Sequence, residues 1–166
     1  LPQLQPIPGR MQVIEGDFGT PKVIVDFAHT PDALKKVLSA LAAQCRGRLV
    51  CVVGCGGDRD QGKRAAMGSV AVNGSDQVWF TSDNPRSEEP QQIIEDMQDD
   101  LSAQQLTKVS VLADREAAIG QAIADARSDD VVLIAGKGHE NTQEIHGIKH
   151  AFSDIEIVEK LFKENV

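Results

Sequence analysis

Short apolar runs that alternate with amphipathic segments constrain this 166-residue chain more than any other feature. The runs are rich in Val and Ile and are not interrupted by polar residues, so we predict strands that are buried on both faces. The segments between them repeat apolar residues every three or four positions, which is typical of helices that cover a sheet. The predicted strands are 22–27, 48–54, 76–82, 108–112 and 129–136, and the predicted helices lie around 34–41, 93–101, 119–126 and 155–162.

This alternation predicts an α/β fold with a Rossmann-like, mostly parallel sheet and helices on both faces. Residues 11–15 are expected to add an edge strand, and residues 142–153 a C-terminal hairpin that turns near Gly147. Residues 1–10 carry three prolines and are interpreted as a linker or entry segment, which leaves 11–166 as one domain.

Four polar residues mark predicted helix starts. Thr30, Ser87, Asp114 and Ser153 each place an oxygen where it can accept a hydrogen bond from the first turn of a helix. Glu156 follows Ser153 at the spacing of a capping box.

Composition and charge exclude several classes of protein. A net charge of −8 argues against a general nucleic-acid binder, which needs a basic face. No apolar run reaches the ~18 residues of a membrane span, and no signal peptide is recognisable, so no membrane partner is expected. Cys45, Cys51 and Cys55 lack the spacing of a zinc site, so we expect buried, reduced thiols and a cytoplasmic location.

Polar segments follow each predicted strand directly. In an open α/β sheet, the carboxyl ends of the strands meet at one edge, where ligands bind. We therefore predict a binding crevice at that edge. The five segments are 26–32, 54–64, 82–86, 113–116 and 136–140.

The segment Ser-Asp-Asn-Pro-Arg, residues 82–86, has the groups that an amino acid requires. Pro85 stiffens the loop, and the Arg86 guanidinium matches a carboxylate. Asp83 and Asn84 offer acceptors for an ammonium group. An ordinary helix-entry turn with a solvated arginine remains an alternative for this segment alone.

The other segments add further candidates. Arg59, which follows a glycine cluster, is suited to a phosphate or carboxylate, although that cluster has neither the P-loop nor the dinucleotide-binding spacing. Gly136 leaves the backbone bare, and Glu140 can accept from an ammonium group. Asp26 and His29 lie where a nucleoside could bind, or serve only to cap a helix. No nucleophile with a partnered base and no metal cluster is recognised, so we predict no catalytic residue and no metal site.

Four motifs together resemble the C-terminal domain of the Mur ligases, and most closely the members that add diaminopimelate. They are DFAHTPDAL, GCGGDRDQGKR, DNPRSEEP and AGKGHE, in the order of the family, and the resemblance runs from about Gly9 to the end. It implies a fragment of an ATP-dependent ligase that forms an amide from an acyl phosphate of the UDP-N-acetylmuramoyl dipeptide. It also implies that UDP-binding and ATPase domains, absent here, hold the dipeptide, ATP and Mg²⁺. The fragment alone is expected to be monomeric and inactive.

The resemblance also assigns roles to particular residues. The Arg of the Asp-Asn-Pro-Arg motif, Arg86, is the expected mark of a diaminopimelate-adding enzyme, because lysine lacks the second carboxylate. Phe27, Ala65 and Asn141–Thr142 depart from the usual motifs. The residues implied for meso-diaminopimelate are Arg59, Asp83, Asn84, Pro85, Arg86, Gly136 and Glu140, and those implied near the nucleotide are Asp26, His29, Asp114 and Arg115.

Three alternatives remain open at this stage. One is a sister ligase that adds lysine, and another is a free-standing dinucleotide-binding oxidoreductase domain. The third is a non-catalytic module that senses amino acids.

Overall fold

The structure is a computed structural model that describes residue 7 and residues 9–165. Most of the predicted entry segment, namely residues 1–6 and 8, lies outside the described residues. The strands are β1 Gln12–Ile14, β2 Lys22–Asp26, β3 Leu49–Val53, β4 Gln77–Phe80, β5 Val109–Val111, β6 Val131–Ala135, β7 Thr142–Ile145 and β8 Ile148–Ala151. The α-helices are α1 Pro31–Ala42, α2 Arg64–Gly74, α3 Pro90–Gln98, α4 Ala103–Leu106, α5 Arg115–Asp125 and α6 Asp154–Glu164, and a 3₁₀ turn spans Gln61–Lys63.

The predicted α/β fold is confirmed. Six strands form one sheet in the order β1-β2-β6-β3-β4-β5, in which β1 is antiparallel to β2 and the other neighbours are parallel. Because β6 returns between β2 and β3, the carboxyl ends of β2, β6, β3 and β4 lie side by side. This is the edge where the sequence predicts a crevice.

The central strands are buried on both faces, as their continuous apolar runs predict. On one face, Cys51, Phe80 and Leu133 pack with α1, α2 and α3. On the other face, Val52 and Trp79 alternate with them and pack with α5 and α6. Because both faces are buried, polar and apolar residues do not alternate along these strands.

Three of the four predicted helix starts are confirmed. The side chains of Thr30, Asp114 and Ser153 each accept a hydrogen bond from a backbone N–H in the first turn of a helix. The start at Ser87 is wrong, because α3 begins at Pro90 and its N-cap is Glu89. The Ser87 hydroxyl instead donates to an oxygen of Asp58, at 2.6 Å, in the loop after β3.

Helix α2 was not predicted. Its sequence, RAAMGSVAVNG, is dominated by small residues and has no clear apolar stripe. The small residues allow close helix packing, since a Cβ at Gly68 would overlap the carbonyl oxygen of Met97 in α3. The predicted helix 93–101 ends at Gln98, and Leu101 packs against the core from the following turn.

The C-terminal hairpin is confirmed as β7 and β8, which form a separate two-stranded sheet. A single parallel bridge between Arg86 and Ile145 joins it to the loop after β4. Cys51 and Cys55 are buried free thiols, as predicted, whereas Cys45 is only half-buried. Across residue 7 and residues 9–165, no helix combines the length and the apolar character that a membrane crossing requires.

Candidate functional site

A crevice of about 290 Å³ opens at the predicted edge of the sheet. Four of the five predicted loops line it, namely those after β2, β3, β4 and β6. The segment 113–116 after β5 contributes no lining residue, because β5 is the outermost strand and α5 packs on one face of the sheet. The lining residues are Phe27, His29, Gly54, Cys55, Gly56, Arg59, Lys63, Asp83, Asn84, Arg86, Gly136 and Glu140.

The Arg86 side chain is held at the crevice wall from two directions. Its Nη1 donates to the carbonyl oxygen of Gly57 at 2.8 Å, and its Nε lies 3.4 Å from Oε2 of Glu144. The side chain is 19% exposed, and Glu144 itself is not among the lining residues. The guanidinium is therefore oriented by the protein and still has donors left for a ligand.

The backbone of Arg86 has a left-handed conformation, with φ of +52°. Such a conformation is unfavourable for a residue with a side chain. The hairpin stabilises it through two backbone hydrogen bonds, from Arg86 N to Glu144 O at 3.0 Å and from His146 N to Arg86 O at 2.7 Å. The β7–β8 hairpin thus determines where the arginine points.

Pro85 is buried and does not line the crevice. It packs against the glycine loop after β3, where a Cβ at Gly57 would overlap the Pro85 carbonyl oxygen. Gly57 N also donates to the carbonyl oxygen of Asn84 at 2.8 Å. This close approach explains the second glycine of the pair Gly56–Gly57 better than flexibility does.

A buried arginine ties the same two loops together. Arg64, at the start of α2, bonds both carboxylate oxygens of Glu88, and its Nη1 lies 2.9 Å from Asp96. Burial opposes its charge, but the two carboxylates raise the pKa of Arg64 overall. Hydrogen bonds from Ser87 lower the pKa of the Asp58 carboxyl. The basic residues after the glycine cluster therefore divide into a structural Arg64 and two crevice residues, Arg59 and Lys63.

Lys137 is a buried cation directly behind the acceptor groups of the crevice. Its ammonium donates to Asn84 Oδ1 at 3.0 Å and to Thr142 O at 2.9 Å, and it lies 3.4 Å from Oε2 of Glu140 and 3.6 Å from Oδ1 of Asp83. Its side chain is 0% exposed. A cation buried this completely requires several partners, and this cluster supplies them.

Gly136 and Glu140 complete the acidic side of the crevice. Gly136 has φ of +115°, and a Cβ there would lie 2.8 Å from Oδ2 of Asp83, so only glycine fits without strain. The Glu140 side chain is 37% exposed. Its Oε2 faces Lys137 and Asn84, whereas Oε1 makes no polar contact with the part of the chain that the structure describes. An ammonium group could therefore approach Glu140 from the crevice.

Three of the four residues predicted to lie near the nucleotide do not line the crevice. The buried Asp26 carboxylate accepts from the backbone N–H groups of Met11 and Ala28, and Asp114 caps α5. The Arg115 side chain is 0% exposed, and the neighbouring Asp154 raises its pKa against the opposing effect of burial. These side chains have structural partners within the chain.

His29 alone of that group reaches the crevice, at its exposed end. Its ring lies edge-on to Phe27, with ring centroids 4.6 Å apart, and the Lys63 ammonium donates to the His29 carbonyl oxygen at 3.1 Å. The Arg10 guanidinium lies 4.9 Å from the centre of the Phe27 ring. Phe27, a departure from the usual motif, thus packs within a basic and aromatic rim.

Sequence reasoning gave no role to Lys137 and did not consider Glu144. The signal for Lys137 was its place between two glycines at the end of a strand. Glu144 gave no signal, because its role depends on the hairpin reaching across to Arg86. Within the described ranges, no group of three or more His, Cys, Asp or Glu residues is placed to hold a metal ion.

The family model described as Mur ligase, glutamate ligase domain, matches residues 9–138. Curated relatives described as UDP-N-acetylmuramoyl-L-alanyl-D-glutamate–2,6-diaminopimelate ligases match most of the chain. The relative from Pseudomonas aeruginosa is 52% identical over 160 residues, which cover 96% of this chain and 32% of the relative. The relative from Bacteroides thetaiotaomicron is 49% identical over 164 residues, which cover 98% and 34%. The chain thus spans about a third of the length of these relatives.

Solved structures agree with the sequence relatives. A structure of a UDP-N-acetylmuramoyl-L-alanyl-D-glutamate–2,6-diaminopimelate ligase matches with a TM-score of 0.89 and 44% identity, over 99% of this chain and 33% of that chain. A folylpolyglutamate synthase/dihydrofolate synthase with Mn, AMPPNP and L-glutamate bound matches with a TM-score of 0.62 and 27% identity, over 81% and 30%. A domain from Haemophilus ducreyi, 18% identical with a TM-score of 0.59, is covered over its whole length and shows the fold alone.

The family match covers most of the chain, and relatives about half identical to it align over nearly all of its length. The resemblance carried by the four motifs is therefore confirmed, and the chain belongs to the Mur ligase family, as its C-terminal domain.

Proposed function

We propose that this chain is the amino-acid-binding domain of an ATP-dependent ligase that adds meso-diaminopimelate to UDP-N-acetylmuramoyl-L-alanyl-D-glutamate. The observation that carries the proposal is the pairing of opposite charges in one small crevice. Arg86 and Arg59 offer guanidinium donors, whereas Glu140 and Asp83 offer carboxylates, in a volume of about 290 Å³. The names of the half-identical relatives support the same substrate.

Meso-diaminopimelate has an amino acid head at each end and therefore carries two carboxylates and two ammonium groups. A crevice with two guanidinium groups and two carboxylates complements it in number and sign. The donors and acceptors come from three strand ends that are fixed to one another, so little ordering is needed on binding.

The contribution of this domain to the reaction is placement. In the proposed step, the unprotonated amine attacks the carbonyl carbon of an acyl phosphate on the dipeptide. A C–N bond forms, the C–O bond to phosphate breaks, inorganic phosphate leaves and the amine loses a proton. Holding the amine in position can remove several kcal/mol, up to about 7–11, from the barrier. The activated dipeptide, ATP and Mg²⁺ are assigned to the rest of the ligase, in the cytoplasm.

Lysine is the natural competitor, because it lacks only one carboxylate. With lysine bound, the Arg86 guanidinium would have no ligand carboxylate, but Glu144 lies 3.4 Å from its Nε and offsets part of the cost of that loss. Discrimination then comes mainly from the lost charged hydrogen bonds, which at about 1.5–3 kcal/mol correspond to roughly 10- to 150-fold.

The test compares phosphate release by the full-length ligase with meso-diaminopimelate and with lysine. We expect Arg86→Ala to raise KM for diaminopimelate by about 10-fold or more and to leave the KM for ATP unchanged. Arg46, an exposed residue outside the crevice, supplies the matched control Arg46→Ala. Equal use of both amino acids by the wild type, or an unaffected KM in Arg86→Ala, would count against the proposal.

The isolated chain provides a second test, because a free-standing enzyme would act without other domains. We expect no phosphate release when the chain is mixed with ATP, Mg²⁺, the dipeptide nucleotide and diaminopimelate. Turnover by the isolated chain would favour a free-standing enzyme, and tight binding of NAD would favour an oxidoreductase.

A further inference from the structure

The buried ammonium of Lys137 has no exposed surface and no direct access to a ligand. Its nearest hydrogen-bond partners are Asn84 Oδ1 at 3.0 Å and Thr142 O at 2.9 Å. Lys137 does not line the crevice, but Asn84 and Glu140, both within 3.4 Å of its ammonium, do line it. Lys137 can therefore influence a ligand only through these neighbours.

The Asn84 amide can have only one orientation in this environment. One of its two terminal atoms lies between the Lys137 ammonium and the backbone N–H of Glu144, at 3.0 Å and 2.9 Å. Both of those groups are donors without an acceptor function, so the atom between them must be the oxygen. The reverse orientation would place an NH₂ group against two donors, so the Glu144 N–H would lose its acceptor and the Lys137 ammonium would lose one of its partners.

The NH₂ group of Asn84 then faces the other way, where Oε2 of Glu140 lies 3.4 Å from Nδ2. Asn84 lines the crevice, so its remaining N–H is available to a ligand. This reverses the sequence expectation that Asn84 accepts from an ammonium group. In this orientation it acts as a donor, suited to a carboxylate.

We propose that Lys137 is a positioning residue that fixes the Asn84 amide with its NH₂ group toward the crevice, so that Asn84 donates to a carboxylate of the amino acid substrate. The inference rests on the proposed function, because the substrate class comes from there. It adds to that function that Asn84 acts as a donor to the substrate, and that Lys137 has a role although it does not contact the substrate.

Asn84→Asp in the full-length ligase is the primary test. The aspartate keeps an acceptor for Lys137 and for the Glu144 N–H, but it replaces the NH₂ group by a negatively charged oxygen. We expect KM for meso-diaminopimelate to rise by about 10-fold or more, while the KM for ATP and the melting temperature stay close to wild type. An unchanged or lower KM for diaminopimelate would mean that Asn84 serves as an acceptor, and would overturn the proposal.

Lys137→Met tests the lysine itself, in the wild type and in an Asn84→Ala background. If Lys137 acts through Asn84, Lys137→Met should raise KM for diaminopimelate by about 10-fold in the wild-type background. In the Asn84→Ala background, which lacks the amide, it should raise KM by less than about 3-fold. Lys35→Met, on exposed α1 surface outside the crevice, is the matched control. Equal effects in both backgrounds would indicate a general structural role and overturn the proposal.

The same experiments distinguish the proposed function from the role of Lys137. If the wild-type ligase releases no phosphate with diaminopimelate, the proposed function is wrong and this inference falls with it. If the wild type is active and the variants bind diaminopimelate normally, the proposed function stands and the roles given to Asn84 and Lys137 are wrong. Should Lys137→Met fail to fold, the Asn84→Asp result decides, because the lysine is intact in that variant.

Discussion

A fully buried ion pair joins the start of α5 to the start of α6. The Arg115 guanidinium bonds both carboxylate oxygens of Asp154 at 2.8 Å, and both side chains are 0% exposed. The same guanidinium donates to the carbonyl oxygens of Ser82 and Ala135, each at 3.1 Å, at the ends of β4 and β6. We predict that Arg115→Met destabilises the domain severely, although Arg115 does not line the crevice.

The magnitude follows from what the substitution leaves behind. Asp154 would remain in the core without a cation, and breaking a buried pair in this way typically costs about 3–5 kcal/mol. The carboxyl can escape by taking up a proton, which at pH 7 costs about 4 kcal/mol for an ordinary aspartate. The two bounds agree, so we expect a loss of about 4 kcal/mol from a typical total of 5–15.

Urea unfolding followed by fluorescence measures this loss. Trp79 is the only tryptophan and is 8% exposed, so it reports the packing of the sheet against α5 and α6. With a slope of about 2 kcal/mol/M, the midpoint of Arg115→Met should fall by about 2 M at pH 7. If the Asp154 carboxyl takes up a proton when Arg115→Met folds, the variant should regain stability as the pH is lowered toward about 5. The difference in free energy of unfolding between wild type and variant should then shrink by about 1.4 kcal/mol for each pH unit.

The double variant Arg115→Met/Asp154→Asn separates a buried charge from a general packing defect. With no charge left in the core, the groups that lose a partner are neutral, namely the two carbonyl groups and the new amide at position 154, so the double variant should be more stable than Arg115→Met. A midpoint shift below about 0.5 M for Arg115→Met, or a double variant that loses the sum of both single losses, would refute the reasoning.

Three further predictions concern the loops and the thiols. Gly57→Ala should lower the free energy of unfolding by about 1–3 kcal/mol, because the added Cβ would overlap the neighbouring loop. The control Gly120→Ala, which adds a Cβ in open space on α5, should leave the free energy of unfolding unchanged or raise it. Equal effects of the two substitutions would contradict the role of Gly57 in packing. Although burial alone would raise it, hydrogen bonds from backbone N–H groups and from the Arg48 guanidinium lower the pKa of Asp130. Its stabilisation is therefore present above about pH 4 and is lost as pH falls through the lowered pKa, so the unfolding free energies of wild type and Asp130→Asn should converge in acid. Burial raises the pKa of Cys55 to about 12, so iodoacetamide at pH 7.5 should label it only after denaturation, and rapid native labelling detected by mass spectrometry would contradict its burial.

Local sequence signals predicted the fold well where they were strong. The runs that became β3 and β6 are apolar throughout, and the Thr30 and Asp114 caps sit next to clear helical patterns. Helix α2 lacked such a pattern because its small residues serve close packing against α3. The Ser87 cap was mistaken because its hydroxyl binds Asp58, a partner that is distant in sequence.

The sequence predicted which loops and which types of residue form the candidate site, but it did not predict which side chains bond one another. Strand-end placement brought Arg59, Asp83, Arg86 and Glu140 to one crevice, as the topology of an open sheet requires. The same rule placed Arg115 near the crevice, but its side chain is buried in the core. A residue that follows an edge strand can point into the core as readily as into the crevice. A sequence does not show which charged group pairs with which, because those choices depend on contacts between distant loops.

The charged residues of this domain divide into those that shape the crevice from behind and those that face it. Lys137 and Glu144 carry opposite charges and both lie behind a lining residue, Asn84 in one case and Arg86 in the other. The backbone of Glu144 also contacts both lining residues, since its N–H bonds Asn84 and its carbonyl bonds Arg86. One residue of the hairpin therefore sets the position of two neighbouring crevice groups at once. If the crevice binds the proposed amino acid substrate, a change in the hairpin should alter its recognition at both groups together, even though Glu144 does not line the crevice.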